Sequence, residues 1–146
     1  MRSRFATAIG AIFALLPNTG ERAGPVSKVL VVDDHKDVAS NLAALLLSMG
    51  HEARFATSSA AALTIAASFR ADIAFIDIIM PEVDGFECAR RLRQSLDRPI
   101  RLFAMSGHVP STWPENPLLF PLFEKYLVKP VLSKVIVSLI GDGDRR

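Results

Sequence analysis

Three aspartates in this chain of 146 residues stand directly after short apolar stretches that are typical of buried strands. Asp33 and Asp34 follow residues 28–32, and Asp77 follows residues 73–76. A buried carboxylate without a partner is energetically costly, and ligands bind at the carboxyl ends of the strands in open α/β sheets. The pattern therefore predicts a functional site, with Asp77 at its centre, at the carboxyl edge of a parallel sheet.

A hydroxyl group and an ammonium group end two further apolar stretches. Ser106 follows residues 101–105, and Lys129 follows residues 125–128. Because right-handed crossovers bring the carboxyl ends of all parallel strands to one edge, we expect both side chains beside the three aspartates. Close carboxylates raise one another's pKa unless a cation joins them, and Mg²⁺ typically binds one or two carboxylates together with phosphate oxygens. The pattern therefore predicts a Mg²⁺ site.

These residues together predict phosphoryl-transfer chemistry, which requires mainly positioning and charge neutralisation. An aspartate can act as a nucleophile and form an aspartyl phosphate. Lys129 provides a point charge for one phosphate oxygen, and Ser106 can donate a hydrogen bond to another. Each residue also has a structural interpretation, since Asp33 can cap a helix, Ser106 can form a turn and Lys129 can be solvated. Their joint placement at four strand ends favours a common site.

His35, directly after the acidic pair, has two interpretations. Its side chain can contact the cleft, or it can be a solvated histidine at the start of a helix. We expect the second, because the residue opens the predicted helix that follows.

Strands alternate with helices along the part of the chain that carries these residues. Hydrophobic periodicity predicts an α/β domain in which helices cover both faces of a five-stranded parallel sheet. We expect the first helix to turn a face that includes Val38 and Leu46 toward the sheet. The predicted strands cover residues 28–32, 52–56, 73–76, 101–105 and 125–128, and the predicted helices cover residues 37–48, 59–69, 86–96 and 132–140.

The segment 108–124 interrupts this alternation. Four prolines recur there every three or four residues, and a proline in the interior of a helix costs about 3 kcal/mol. The helix expected between the fourth and fifth strands is therefore predicted to be irregular or shortened, with at most a single turn or a short helix after Pro117.

Composition and charge exclude several classes of protein. Half of the residues are hydrophobic, so we expect the bulk of the chain to be folded. The net charge of +2 comes from three arginines and one glutamate in residues 1–27, so the rest of the chain is neutral and no nucleic-acid surface is expected. A single cysteine, Cys88, excludes an internal disulfide and a cysteine zinc cluster. It indicates a reducing, cytoplasmic location, and we expect its side chain to be buried.

The domain is predicted to cover residues 28–140, preceded by an extension at 1–27 and followed by a tail at 141–146. The extension begins with two arginines before an apolar stretch at residues 5–16, which is too short to span a membrane. A secretory signal, a short amphipathic helix, and a segment that is disordered, dispensable or not natively translated are alternative interpretations. No clear cleavage site follows the stretch, so we expect it to remain in the cytosol.

Four motifs resemble those of the receiver domains of two-component response regulators. They are VVDD at 31–34, DIIMPEVDG at 77–85, MSG at 105–107 and YLVKP at 126–130. Together they are highly specific, and the resemblance covers residues 28–140. It implies a flavodoxin-like fold with strand order 2-1-3-4-5. The proline-rich segment departs from the family pattern, which has its fourth helix there.

The resemblance also implies a role for each acidic residue. Asp77 would accept a phosphoryl group from a phosphohistidine. Asp34 and Asp77 would bind Mg²⁺ together with the backbone carbonyl of Ile79, and Asp33 would act mostly through a bound water.

A conformational switch is implied as well. Ser106 would bond one phosphoryl oxygen, and Lys129 would pair with another. Tyr126 matches the aromatic residue that turns inward when Ser106 is drawn to the phosphate, and packing in the core is its alternative role. The peptide bond between Lys129 and Pro130 would be cis.

The resemblance thus implies a receiver protein of a two-component phosphorelay that is not an enzyme. A histidine kinase or a histidine phosphotransfer protein would phosphorylate Asp77, and phosphorylation would switch binding to an unknown downstream protein. We expect a stand-alone receiver, because only residues 141–146 follow the last predicted helix. The alternatives are a receiver-like scaffold that works without phosphorylation and a phosphatase of the haloacid dehalogenase kind. Ile79 disfavours the phosphatase, because it stands where that family has a second acid.

Overall fold

Five parallel strands form the central sheet of the computed structural model, which describes residues 25–107 and 122–142. Their order across the sheet is β2-β1-β3-β4-β5, and every neighbouring pair is parallel. The predicted fold class and the strand order are confirmed. The strands are β1 (Lys28–Val32), β2 (Glu52–Ala56), β3 (Ile73–Asp77), β4 (Arg101–Ser106) and β5 (Lys125–Val128).

Four helices occur in the described part of the chain, and each begins and ends within two residues of its predicted position. Side-chain oxygens satisfy the free backbone donors at two helix starts. The hydroxyl of Ser58 accepts from Ala61 at 3.1 Å, and Asp84 accepts from Glu87 at 2.9 Å. The helices are α1 (Lys36–Ser48), α2 (Ser59–Phe69), α3 (Gly85–Ser95) and α4 (Ser133–Asp142).

The hydrophobic core lies on both faces of the sheet, because successive residues of a strand point to opposite sides. Leu30 and Ile76 share one apolar cluster with residues of α2 and α3. Val31 and Phe75 share the other with residues of α1 and α4. Cys88 of α3 is fully buried, as expected, and burial raises the pKa of its thiol.

The inner face of α1 differs from the prediction. Ala39, Ala43 and Leu46 are buried, whereas Val38 is 43% exposed. Small side chains at positions 39 and 43 let the helix approach the strands closely, and the valine then lies on the side that faces solvent. The prediction for Val38 was wrong because it weighed large apolar residues and gave no weight to alanine.

Three predictions lie wholly or largely outside the described residues. They concern residues 1–24, most of the proline-rich segment (108–121) and the tail from residue 143. The last helix ends at Asp142, two residues beyond the predicted end of the domain. Within 25–107 and 122–142, no helix has the length and hydropathy that crossing a bilayer requires.

Candidate functional site

The carboxyl edge of the sheet brings together the polar residues that the sequence placed at strand ends. Asp33 follows β1, Asp77 ends β3, Ser106 ends β4 and Lys129 follows β5. Backbone hydrogen bonds extend the strand pairing to these residues. Asp33 donates to the carbonyl of Ala56 at 3.1 Å, and Lys129 donates to the carbonyl of Ser106 at 2.8 Å. Asp33, Asp77 and Ser106 are buried, so the edge is a recessed polar site.

Lys129 connects the two buried acids. Its Nζ forms an ion pair with Oδ2 of Asp33 and lies 3.3 Å from Oδ2 of Asp77. Burial acts to lower the pKa of Lys129, but the hydrogen bond to Asp33 and the charges of both acids outweigh burial and raise this pKa above its usual value. The peptide bond from Lys129 to Pro130 is cis, as the resemblance implied.

Burial disfavours the ionised carboxylate of Asp77 and raises its pKa to about 6. The charge of Lys129 lowers this pKa, and the charge of Asp33 raises it further. At neutral pH the carboxylate of Asp77 is therefore ionised in most molecules and can act as a nucleophile. Within the described residues, three carboxylates, including that of Asp34, lie near the single ammonium group of Lys129, so acidic groups outnumber basic groups at the site.

The acidic residues can hold a cation. Asp33, Asp34 and Asp77 each offer a ligand oxygen, and these atoms lie within 4.8 Å of one another. Oδ1 of Asp34 is buried and accepts no hydrogen bond within the described part of the chain. Because a buried carboxylate oxygen normally has a partner, this atom fits a ligand position. Oxygen donors are the ligands that Mg²⁺ prefers, so the residues present fit the predicted metal.

His35 lies closer to the acids than we expected from the sequence. Its side chain is 73% exposed, yet Nδ1 lies 3.4 Å from Oδ1 of Asp33 and 3.3 Å from Oδ1 of Asp34. The backbone N–H of His35 also donates to Oδ1 of Asp33 at 2.9 Å. This hydrogen bond closes a tight turn after β1, and the imidazole of His35 lies beside the carboxylates. The histidine is both solvated and in contact with the cleft.

The loop after Asp77 is held by hydrogen bonds from backbone N–H groups. The N–H of Ile79 donates to Oδ1 of Asp77 at 3.2 Å, and the N–H of Gly85 donates to the carbonyl of Ile78 at 2.8 Å. A Cβ at position 85 would overlap the carbonyl oxygen of Asp77 and lie 2.7 Å from Cα of Ile78. The sequence gave no sign of this close approach. The predicted role of the Ile79 carbonyl as a metal ligand stays a prediction.

Tyr126 lies in β5, next to the strand that ends at Ser106. Its ring packs edge-to-face against Phe123 with 5.6 Å between the centroids, and Phe123 contacts Phe86 in the same way at 5.9 Å. Burial raises the pKa of the Tyr126 hydroxyl. This packing is the alternative role that the sequence allowed, and the switch roles of Tyr126 and Ser106 stay predictions.

Comparisons with known proteins connect this site to a family. The pattern that defines the response regulator receiver domain matches residues 29–140. The chain is similar to Response regulator MprA of Mycolicibacterium vanbaalenii, with 37% identity over 70 residues that cover 48% of this chain and 30% of that protein. MprA of Mycobacterium avium is also 37% identical over 70 residues, which cover 48% of this chain and 31% of that protein. The match thus spans about a third of the length of these curated relatives.

Solved structures share the fold over nearly their whole length. A response regulator receiver domain (CheY-like) from Methylobacillus flagellatus has a TM-score of 0.67 and 25% identity, covering 79% of this chain and 99% of its own. A two-component response regulator from Clostridium difficile has a TM-score of 0.72 and 22% identity, covering 82% and 97%. Response regulator TrrA from Thermotoga maritima, solved in complex with Mg(2+)-BeF, has a TM-score of 0.68 and 23% identity, covering 80% and 98%.

Proposed function

The chain belongs to the response regulator receiver domain family, and we propose that it is a phosphoacceptor module of a two-component phosphorelay. Asp77 accepts the phosphoryl group, and the donor is the phosphohistidine of a histidine kinase or a histidine phosphotransfer protein. One observation carries the proposal. Asp77 is buried at the end of β3, and Nζ of Lys129 lies 3.3 Å from one of its carboxylate oxygens.

The transfer forms one bond and breaks one bond. An oxygen of the ionised Asp77 carboxylate attacks phosphorus, and the P–N bond to the donor histidine breaks. The donor imidazole keeps the electron pair and takes up a proton. The resulting aspartyl phosphate presents anionic oxygens, of which one pairs with Lys129 and another accepts a hydrogen bond from Ser106.

Mg²⁺ is part of the proposal. Asp34 and Asp77 would hold it together with the backbone carbonyl of Ile79, and Asp33 would act through a bound water. When bound, Mg²⁺ neutralises charge on the phosphoryl oxygens. Support comes from the buried Oδ1 of Asp34, which accepts no hydrogen bond from the described residues, and from the similar fold of a protein solved with Mg(2+)-BeF.

We propose that the protein acts as a binding module and not as an enzyme. New contacts of the phosphoryl group with Ser106 and Lys129 would favour one of two conformations of the surface near Tyr126, and a downstream protein would bind that conformation. A cytoplasmic location belongs to the same proposal and is supported by the single, buried Cys88. The neutral charge of the chain beyond residue 27 supports a partner other than nucleic acid.

The test is incubation of the full chain with acetyl phosphate and Mg²⁺, followed by measurement of the intact mass. We expect one phosphate adduct on the wild-type protein and none on Asp77→Asn. Asp97→Asn is the matched control, because Asp97 is an exposed aspartate on the loop after α3 and should leave the adduct unchanged.

Three results would contradict the proposal. An adduct that persists in Asp77→Asn would place the acceptor elsewhere. Rapid, continuous turnover of acetyl phosphate would indicate an enzyme. A protein that binds Mg²⁺ but is not phosphorylated by acetyl phosphate or by any histidine phosphotransfer protein would favour the scaffold.

A further inference from the structure

His35 is the one histidine beside the acidic site among the described residues. Its Nδ1 lies 3.4 Å from Oδ1 of Asp33 and 3.3 Å from Oδ1 of Asp34. When each ligand atom lies about 2.1 Å from a bound ion, neighbouring ligand atoms are about 3 Å apart. Nδ1 of His35 is therefore close to the position of a ligand next to the oxygens of Asp33 and Asp34. The ring is largely exposed, so it can move the few tenths of an ångström needed to reach that position.

The atom that Nδ1 approaches is itself a candidate ligand. Oδ1 of Asp34 is buried and accepts no hydrogen bond in the described part of the chain, although Nδ1 of His35 lies 3.3 Å away. A separation of 3.3 Å without a hydrogen bond is compatible with an ion pair and with two ligands that share an ion. One ligand atom each from Asp33, Asp34, His35 and Asp77 lies within 4.8 Å of the others.

Ligand type decides which metal such a site prefers. Carboxylate oxygens suit Mg²⁺, whereas imidazole suits Zn²⁺, Ni²⁺ and related ions, whose affinity for mixed nitrogen and oxygen sites is higher. We propose that His35 is a metal ligand of this site, so that it raises the affinity of the site for Ni²⁺, Co²⁺ or Zn²⁺ more than the affinity for Mg²⁺. This inference rests on the cation site of the proposed function. It adds a metal specificity to that site, which the imidazole of His35 provides.

The first experiment compares metal affinities at about pH 8, where a free imidazole is neutral. Isothermal titration measures the binding of Ni²⁺ and of Mg²⁺ to the full wild-type chain, to His35→Ala and to His35→Gln. We expect both substitutions to weaken Ni²⁺ binding about tenfold or more and to change Mg²⁺ binding less than about threefold. His51→Gln is the control, because His51 pairs with the backbone of Ser27 at the opposite edge of the sheet.

The second experiment detects the ligand directly. Co²⁺ is paramagnetic and shifts the proton resonances of a coordinated imidazole far outside the normal range. We expect such resonances in the Co²⁺ complex of the wild-type protein and of His51→Gln, and we expect the set from His35 to be absent in His35→Ala and His35→Gln. Circular dichroism of each variant confirms that the fold is retained.

The outcomes separate this inference from the proposed function. Equal losses of Ni²⁺ and Mg²⁺ affinity would show that His35 acts only on the shape or charge of the site, and no loss would show that it is not a ligand. Either result overturns the inference and leaves the phosphoacceptor proposal intact. Failure of the wild-type protein to bind Mg²⁺ at all would instead contradict the cation site of the proposed function.

Discussion

At the scale of single residues, burial and charge act against each other at Asp77. Burial raises its pKa to about 6, whereas the ammonium group of Lys129 favours the ionised form. A folded-state pKa above the ordinary value of 3.8 means that the ionised carboxylate destabilises the fold. This destabilisation is absent below about pH 4, develops as the pH rises toward 6 and is complete above that range.

We therefore predict that Asp77→Asn stabilises the metal-free protein. The free energy of unfolding should rise by about 1–3 kcal/mol near pH 8, because a neutral amide avoids the cost of burying an ionised carboxylate. The gain should shrink as the pH is lowered toward about 5, where part of the wild-type carboxylate is protonated. Urea denaturation in EDTA measures both values. Asp97→Asn is the exposed control, and an equal gain in that variant would mean that burial is not the cause.

At the scale of elements, the start of α3 determines where the Asp77 backbone lies. Asp84 caps this helix by accepting from Glu87, and Gly85 then packs directly on the carbonyl of Asp77 and on Cα of Ile78. The atoms in contact are all backbone, so no flexible side chain can move aside for an added Cβ. The β3–α3 connection therefore positions the backbone of Asp77 as well as linking two elements.

Gly85→Ala should test this contact. We expect it to lower the free energy of unfolding by about 1–3 kcal/mol and to weaken Mg²⁺ binding, since the Asp77 carbonyl must shift to admit the methyl group. Gly141→Ala in α4 is the matched control, because nothing lies within 4 Å of its added Cβ. That change should be neutral or should stabilise by up to about 1 kcal/mol. Denaturant unfolding and metal titration of both variants give the comparison.

At the scale of the whole molecule, the two edges of the sheet differ in charge balance. At the amino edge, Arg98 pairs with Asp72 at 3.0 Å, and Arg101 pairs with Glu124 at 2.8 Å. At the carboxyl edge, the carboxylates of Asp33, Asp34 and Asp77 face the single ammonium of Lys129, within the described residues. The ion pairs at the amino edge indicate a structural role for that edge. At the carboxyl edge the excess of carboxylates favours the binding of a cation.

A cation that binds only the folded protein must stabilise the whole domain. We predict that Mg²⁺ at about 100 times its Kd raises the free energy of unfolding by about 2.7 kcal/mol, and that EDTA reverses the change. Asp34→Asn should lose most of this response, because it removes a ligand charge, whereas Asp97→Asn should keep it. Thermal or urea unfolding with and without Mg²⁺ measures the response. An undiminished response in Asp34→Asn would place the ion elsewhere.

Local patterns in the sequence determined the secondary structure and the edge of the sheet that carries the site. Short apolar stretches and helical spacing located five strands and four helices, and chain order with right-handed crossovers was enough to place Asp33, Asp77, Ser106 and Lys129 at one edge. These features follow from the sequence because burial of apolar residues and the handedness of crossovers do not depend on detailed packing. The strand order came from the family resemblance, and the structure confirmed it.

Other features depended on distances between elements, which only the tertiary structure decided. Close packing of α1 on its alanines turned Val38 to solvent, and a tight turn after β1 brought His35 to the acids. The contact of Gly85 with Asp77 exists because α3 starts against the end of β3. None of these contacts has a periodic signature, since each arises where separate segments meet at van der Waals or ligand distance.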